Sequence, residues 1–255
     1  MNHTNQPIHH QLLTLVGDYR FVTTHQLARL TSDLYGSNRS ALRQTLRHLR
    51  ALKDQHLVTR LERRIGGWQG GSQVSIWTLT TKGRRALTGN RGRLRPHHYS
   101  TTFLEHCLAI AETRVVLHES ANQLQVTTEV QAEPECWRRY LDLQGFALTL
   151  KPDLFATVTS QRFVDRYFFE VDRATENPAR VIRKCWQYAQ YRHSGTEQDM
   201  HGVYPAVVWL VPSEQRKNQI TDAITAEPRL PGHLFHVLTI NGLVELVHNG
   251  PTQGP

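Results

Sequence analysis

Residues 166–193 read RYFFEVDRATENPARVIRKCWQYAQYRH, and this stretch decides how the second half of the chain is interpreted. Its first part, Arg166–Val171, is rich in aromatic and β-branched residues, which is typical of a buried strand. Asn177 suits a helix N-cap, and Pro178 suits the first helical position. The sequence therefore predicts a strand, a short turn, and a helix that runs from Pro178 to His193.

Acidic residues cluster on this strand and on the strand-like run 145–158 before it. Glu170 and Asp172 share one face of their strand because side chains alternate, and a hairpin would bring Asp153 beside them. Two carboxylates about 5 Å apart repel by roughly 3 kcal/mol at an effective dielectric constant near 20. Protons or cations must offset that repulsion, and Mg²⁺ or Mn²⁺ suits oxygen ligands. We therefore predict a metal site formed by Asp153, Glu170 and Asp172.

The predicted helix adds a cation and two hydrogen-bonding groups on one stripe. A metal ion beside such groups can orient a phosphate, activate a water molecule and stabilise the leaving oxygen. This pattern favours phosphodiester chemistry, although by spacing alone a structural ion-pair network at the end of a sheet is the stronger alternative. The candidate catalytic residues are Asp153, Glu170, Asp172, Lys184, Gln187 and Tyr191.

The N-terminal third has a different character, with three predicted helices followed by two strands over residues 8–88. Ser37 or Asn38 suits the N-cap of the third helix, which continues to about Gln55. Its leucines at positions 42, 46, 49 and 52 form a predicted buried stripe, and its arginines form a second stripe. The two strands flank a glycine-rich tip that carries further arginines. The candidate DNA-binding residues are Arg39, Arg43, Arg47, Arg50, Arg60, Arg63 and Arg64.

This order of elements resembles a winged helix-turn-helix. The resemblance implies that the third helix enters the major groove of double-stranded DNA and that the glycine-rich tip follows the backbone or minor groove. The net charge of +8 and the pI near 9.7 agree with a polyanionic partner. Between Arg39 and Arg95 basic residues are many and acids few, so the charge concentrates on this module. The alternative is a winged helix that contacts proteins, with a solvated arginine face.

Length and composition bound the remaining possibilities. The 255 residues allow two modest domains, and no apolar run approaches the roughly 18 residues of a membrane span. The first residues lack the apolar stretch of a signal peptide, so a cytoplasmic protein with no membrane partner is expected. The three cysteines have neither disulfide-framework nor zinc-finger spacing.

The predicted fold class is α+β. A winged helix-turn-helix domain over residues 8–88 is followed by a basic linker at 89–100 and a mixed α/β domain over 101–248. In the second domain the predicted order is helix, three strands, helix, strand, helix and one or two terminal strands. The terminal strands are placed at Leu234–Val247.

The ordered set of motifs in the second domain resembles the PD-(D/E)XK nuclease fold. The chain as a whole is similar to the replication-relaxation family of plasmids and integrative elements in Gram-positive bacteria, over most of residues 8–215. The motifs that carry the resemblance are a helix near Glu105-His106, Pro152-Asp153, Glu170-Val171-Asp172-Arg173, Gln187-xxx-Tyr191 and Lys184-xxx-Tyr188.

The resemblance implies that Asp153 and Glu170 are metal ligands. It also implies that Asp172 occupies the position where the motif normally has its catalytic lysine. This departure from the motif allows several interpretations. Asp172 could hold a second metal ion, Lys184 or Lys151 could supply the charge, or the site is inactive and only grips DNA. Glu105 or Glu112 could supply a further acid.

These observations predict a DNA-binding protein of a plasmid or mobile element that acts in replication or mobilisation, with a metal-dependent nicking activity as one hypothesis. The alternative is a non-catalytic replication or transcription regulator that uses a degenerate nuclease fold. A relaxase-like function would need a tyrosine that bonds covalently to DNA. Tyrosines are available in the sequence, but no histidine triad accompanies them. A homodimer that reads two half-sites is compatible with a winged helix.

Overall fold

The computed structural model describes residues 6–61, 75–89, 99–142, 144–175 and 177–251. The chain divides into two compact units, Met1–Val115 and Val116–Pro255. The division falls inside one long helix, so that Thr101–Val115 belongs with the first unit. The observed fold mixes helices and sheets, and the predicted α+β class is confirmed at this level.

The first unit consists of helices around a three-stranded antiparallel sheet with the strand order β1-β3-β2. Its elements are α1 Gln6–Tyr19, β1 Val22–Thr23, α2 Thr24–Leu30, α3 Asn38–Asp54, β2 Val58–Arg60, β3 Ile76–Leu79, α4 Thr81–Thr88 and the first part of α5 Thr101–Leu124. The predicted succession of three helices and two strands is therefore present, with one additional short strand before α2. The predicted tip between β2 and β3 lies outside the described residues.

Side-chain caps set where the helices of this unit begin. The Ser37 hydroxyl accepts a hydrogen bond from the backbone N–H of Ser40, which resolves the predicted choice in favour of Ser37. At the start of α2, Thr23 accepts a hydrogen bond from the backbone N–H of Gln26 in a capping box. Thr24 accepts a hydrogen bond from the Trp77 indole at 2.8 Å.

The buried face of α3 is rotated from the predicted leucine stripe. Leu42 and Leu46 are only half-buried. The fully buried residues are Ala41, Thr45, His48, Leu49 and Leu52, which follow the helical period equally well. Tertiary packing selected between two neighbouring faces, and the arginine stripe remains on the outside.

The start of α5 is fixed to the first unit by both apolar and polar contacts. Leu104 and Cys107 belong to a buried cluster with Phe21 and Ile76. The Gln26 amide, which is almost fully buried, donates to the Leu108 carbonyl at 2.9 Å. These contacts explain why the compact unit extends past residue 101.

The second unit contains a five-stranded mixed sheet and a separate two-stranded hairpin. Its elements are the second part of α5, β4 Thr127–Ala132, β5 Arg138–Leu141, β6 Ala147–Leu150, β7 Leu154–Thr159, β8 Val164–Val171, α6 Pro178–His193, α7 Thr196–His201, β9 Ala206–Val211, α8 Glu214–Thr225, β10 Phe235–Thr239 and α9 Leu243–Asn249. The large sheet has the order β10-β9-β8-β7-β4. Neighbours β4, β7 and β8 are antiparallel, and β8, β9 and β10 are parallel.

Two predictions for this unit are wrong in detail. The single strand predicted over 145–158 is two strands, β6 and β7, which lie in different sheets. Pro152 stands between them, and proline cannot donate to a strand ladder. The second terminal strand is instead α9, in which Leu243, Leu246 and Val247 are buried at helical spacing.

Helix α6 covers the sheet face that carries the site. It begins and ends as predicted, and the Asn177 side chain accepts a hydrogen bond from the backbone N–H of Ala179. Its buried residues pack on Phe168, whose ring centroid lies 5.6 Å from that of Tyr188. Among the described residues no helix is long and apolar enough to cross a membrane.

Candidate functional site

Asp153 is held at the point where β7 begins beside the end of β8. Its backbone N–H donates to the Phe169 carbonyl at 3.1 Å, and its carboxylate oxygen Oδ2 accepts from the Val171 N–H at 2.7 Å. The side chain therefore bridges the two strands. This position follows directly from Pro152, which ends the preceding strand and lets the chain turn into β7.

Glu170 lies on the face of β8 that α6 covers, and it is buried. The Tyr188 hydroxyl donates to its Oε1 at 2.5 Å, and the Lys184 ammonium lies 3.3 Å from the same oxygen. Lys184 also donates to the Lys151 carbonyl at 2.7 Å. Residues four apart share a helix face, so one turn of α6 brings both donors to one carboxylate.

Burial dominates the electrostatics of this carboxylate. Removal from water disfavours its charged form and raises the pKa of Glu170 to about 8, with a further increase from the nearby charge of Asp153. Lys184 and the Tyr188 hydroxyl act in the opposite direction and lower this pKa. A bound divalent cation would strengthen that second effect, because a metal ion favours the ionised ligand.

Asp172 is engaged elsewhere, through a buried ion pair with α8. Arg216 donates from Nε to Oδ2 at 2.7 Å and from Nη2 to Oδ1 at 3.0 Å. The backbone N–H of Ala174 also donates to Oδ2 at 3.0 Å. This bidentate geometry fixes the carboxylate and neutralises its charge. Sequence reasoning missed Arg216, because 44 positions separate it from its partner and no local pattern signals the pairing.

The other two predicted helix residues do not reach Glu170. Gln187 is exposed. Tyr191 is buried one turn further along α6, and its hydroxyl donates to Glu197 at 2.8 Å. Tyr188 takes the predicted place of Tyr191, which the four-residue spacing from Lys184 could have indicated.

The donor set of the predicted metal site is therefore smaller than the sequence pattern indicated. Within the described parts of the chain, no group of three or more His, Cys, Asp or Glu side chains is arranged to hold a metal ion. Asp153 and Glu170 interact electrostatically, whereas Asp172 is bound to Arg216. The carboxylates suit a hard cation such as Mg²⁺ or Mn²⁺, and Asp153 and Glu170 are the two that would hold it.

In the first unit, four predicted DNA-binding arginines share one exposed surface of α3. Arg39, Arg43, Arg47 and Arg50 are all exposed, on the side of the helix away from its buried residues. Arg60 is exposed at the end of β2, where its guanidinium donates to the Ser75 hydroxyl at 3.5 Å. The remaining two, Arg63 and Arg64, lie outside the described residues.

One of the two acids proposed for α5, Glu112, has contacts within the first unit. Glu112 accepts from the Arg29 guanidinium at 2.5 Å and from the Gln26 amide at 3.0 Å. Both donors lie on α2, so this carboxylate connects α2 to α5. We assign Glu112 this structural role within the first unit.

These features define a two-unit α+β protein, with an arginine-rich helix in one unit and a buried carboxylate cluster at the end of a mixed sheet in the other. The chain belongs to the replication-relaxation family, whose model matches residues 13–207. Membership indicates a role in the replication or relaxation of a plasmid or another mobile element. Searches of curated proteins and of solved structures gave no match.

Proposed function

We propose that the first unit is a winged helix-turn-helix that binds double-stranded DNA. The order of α1, β1, α2, α3, β2 and β3, with an antiparallel sheet, supports this assignment. In such modules the third helix enters the major groove, where arginine reads guanine and neutralises phosphate. The role in replication or mobilisation would then begin with recognition of a site on the element's DNA.

The observation that carries this proposal is the exposed arginine stripe of α3. Four guanidinium groups point away from a fully buried opposite face, so the helix is held rigidly while its cationic side stays accessible. No acidic residue interrupts α3 before Asp54 at its end. A surface of this kind suits a phosphate backbone better than an acidic or apolar protein partner.

Fluorescence anisotropy with duplex DNA from the native element tests the proposal. The double variant Arg43→Ala/Arg47→Ala should bind at least about tenfold more weakly, because each lost base contact costs roughly 1–3 kcal/mol. If both residues contact phosphate, the slope of log K against log salt concentration should fall by about 2. The matched control is Arg162→Ala, an exposed arginine in the turn between β7 and β8.

Equal affinity in the double variant and in the control would contradict the DNA-binding assignment of α3. The arginine stripe would then belong to a solvated or protein-binding face. The same titration, followed by mass photometry, gives the number of chains on each duplex and so tests the proposed homodimer. Two chains on a two-fold symmetric site are expected.

We further propose that the second unit is a PD-(D/E)XK nuclease-like domain with a metal-dependent nicking activity. Its support is that Asp153, just before β7, interacts electrostatically with Glu170 near the end of β8, and that the Lys184 ammonium lies 3.3 Å from Glu170. Bound there, Mg²⁺ or Mn²⁺ would supply an activated water and charge stabilisation. Asp153 and Glu170 would hold the ion, and Lys184 would balance the remaining charge.

The alternative is a non-catalytic replication or transcription regulator in which this cluster is structural. A specific observation favours it: Asp172 is committed to Arg216, so only two of the three predicted carboxylates remain for a cation. The buried Glu170 also has two protein partners of its own, the Tyr188 hydroxyl and the Lys184 ammonium. This alternative predicts DNA binding that does not depend on either acid.

Conversion of supercoiled plasmid to nicked or linear form, with Mg²⁺ or Mn²⁺, separates the two functions. Metal-dependent cutting that is lost in Asp153→Ala and Glu170→Ala, but kept in Glu129→Ala, would establish a nuclease. Glu129 is an exposed acid on the neighbouring strand β4 and serves as the matched control. Clean binding without cutting, equal in all four proteins, would establish the regulator.

A further inference from the structure

An open cleft lies between α6 and the β5–β6 hairpin, away from the carboxylate cluster. Its volume is about 540 Å³, within the roughly 300–1,000 Å³ range of small-ligand sites. Leu141 and Asp142 line it from the hairpin, and Trp186, Gln190 and His193 line it from α6. None of these residues takes part in the site described above.

We propose that this cleft holds an unpaired base of single-stranded DNA, stacked against the Trp186 indole. The inference deepens the proposed function, on which it rests, by adding a second DNA form that the second unit recognises. Replication, and the separation of strands after a nick, expose unpaired bases. Stacking on an aromatic ring is the common way in which proteins bind them without sequence preference.

The aromatic wall of the cleft is accessible and is accompanied by positive charge. The Trp186 ring is half-buried, and the Arg229 guanidinium lies 5.4 Å from its centroid. Arg229 is 79% exposed, so its ion pair with Glu227 at 3.5 Å is weak and can yield to a phosphate. Arg183, one turn before Trp186 on the same helix, is also exposed. An indole with a guanidinium group beside it and a further exposed arginine on the same helix suits a base whose phosphates carry negative charge.

The polar groups of the cleft are positioned to meet the edge of a base. The Gln190 Oε1 accepts from the Tyr140 hydroxyl at 3.3 Å, which orients the amide. The His193 Nδ1 atom lies 2.6 Å from the Ala189 carbonyl oxygen. Because a carbonyl oxygen only accepts, Nδ1 carries the proton and donates. In the neutral ring Nε2 is then an acceptor. Donor and acceptor groups on one rim suit any of the four bases.

The β5–β6 hairpin carries exposed apolar side chains near its tip. Leu141 is 63% exposed and Phe146 is 64% exposed. The turn is stabilised by Asp142, whose Oδ1 accepts from the backbone N–H groups of Gln144 and Phe146 at 2.9 and 2.8 Å. These bonds satisfy lone pairs of the Asp142 carboxylate and leave its negative charge in place. A rigid hairpin with exposed apolar side chains suits contact with unstacked bases.

Anisotropy with a fluorescent 20-mer of thymidylate tests the proposal on the full chain. Trp186→Leu keeps an apolar side chain but removes the stacking surface, and it should weaken binding roughly 5- to 150-fold. Trp186→Phe keeps a ring and should retain most of the affinity. Duplex binding, measured in parallel, should be the same in all three proteins.

A second variant keeps the proposal testable if loss of the indole disturbs folding. Gln190→Glu is isosteric and preserves the acceptor for Tyr140, yet it places a negative charge in the cleft. It should weaken thymidylate binding by about 3- to 10-fold at low salt, because the added carboxylate repels phosphate. The matched control is Gln161→Glu, the same change at an exposed position in the turn before β8.

Thymidylate binding that is absent in the wild type, or unchanged in Trp186→Leu and Gln190→Glu, would overturn the proposal. Tighter binding of a uridylate 20-mer would replace DNA by RNA and also overturn it. Failure of the duplex-binding function has a separate signature, since it appears as duplex affinity that is insensitive to Arg43→Ala/Arg47→Ala. The failure of one proposal can therefore be distinguished from the failure of the other.

Discussion

Replacing Arg216 by methionine tests whether Asp172 is a structural ion-pair partner or a metal ligand. The two side chains are only 7% and 2% exposed, and two hydrogen bonds of 2.7 and 3.0 Å join them. Removal of one partner leaves a charge buried without compensation, which typically destabilises a protein by about 3–5 kcal/mol. For a unit of this size that corresponds to a fall in Tm on the order of 10 °C.

The double variant Asp172→Leu/Arg216→Met should recover most of that loss. Two apolar side chains of similar volume need no desolvation of charge, and such replacements are often neutral or stabilising. Urea denaturation, followed by the transition of the second unit, measures both free energies of unfolding. Arg229→Met is the control, because its exposed ion pair with Glu227 should contribute less than about 1 kcal/mol.

Two results would refute this reasoning. One is an Arg216→Met variant that unfolds within about 1 kcal/mol of the wild type. The other is an Asp172→Asn variant that loses metal-dependent cutting while its stability is unchanged. The first would leave Arg216 as an incidental neighbour, and the second would return Asp172 to the predicted metal site.

Two further predictions concern the carboxylate beside α6. The raised pKa of Glu170 means that the folded state binds its proton more tightly than the unfolded chain does, so its contribution to stability should fall as pH rises from about 4.5 to about 8. In denaturation experiments over this pH range, the free energy of unfolding of the wild type should fall more steeply with pH than that of Glu170→Gln, by up to about 1.4 kcal/mol per pH unit. Equal slopes would contradict the burial argument. Tyr188→Phe removes a hydrogen-bond donor to the buried Glu170 oxygen. It should lower the free energy of unfolding by about 1–3 kcal/mol at pH 8, where ionised Glu170 is populated, and by less at pH 5.5. The same loss at both pH values would show that it comes from packing alone.

Local signals in the sequence predicted the elements that carry the site. An asparagine before a proline, followed by apolar residues at helical spacing, was enough to give both ends of α6. The strand before it was predicted from its apolar run, and the structure extends it by two residues to Val164. These predictions succeeded because caps, proline and hydrophobic periodicity act within a few residues of the chain.

Prediction failed where distant segments compete for the same residue. Period-2 alternation put Asp172 on the face of Glu170, yet a guanidinium from α8 holds Asp172. Helical periodicity allowed either Tyr188 or Tyr191 to face the cluster, and the packing of α6 against Phe168 placed Tyr188 there. Strand β5 was not predicted, and no local pattern indicated that β6 lies in a different sheet from β7.

The sequence by itself determined the α+β class, the family, the arginine stripe of α3 and the positions of Asp153 and Glu170 on neighbouring strands. The family follows from the ordered motifs by which the chain resembles it, and the other three follow from composition or from short-range periodicity. Only the tertiary structure decided which partner each buried charge received, and it gave Lys184 and Tyr188 to Glu170 and Arg216 to Asp172. The physical reason is that a charge taken out of water must find compensation in three dimensions, and the nearest group in space is seldom the nearest in sequence.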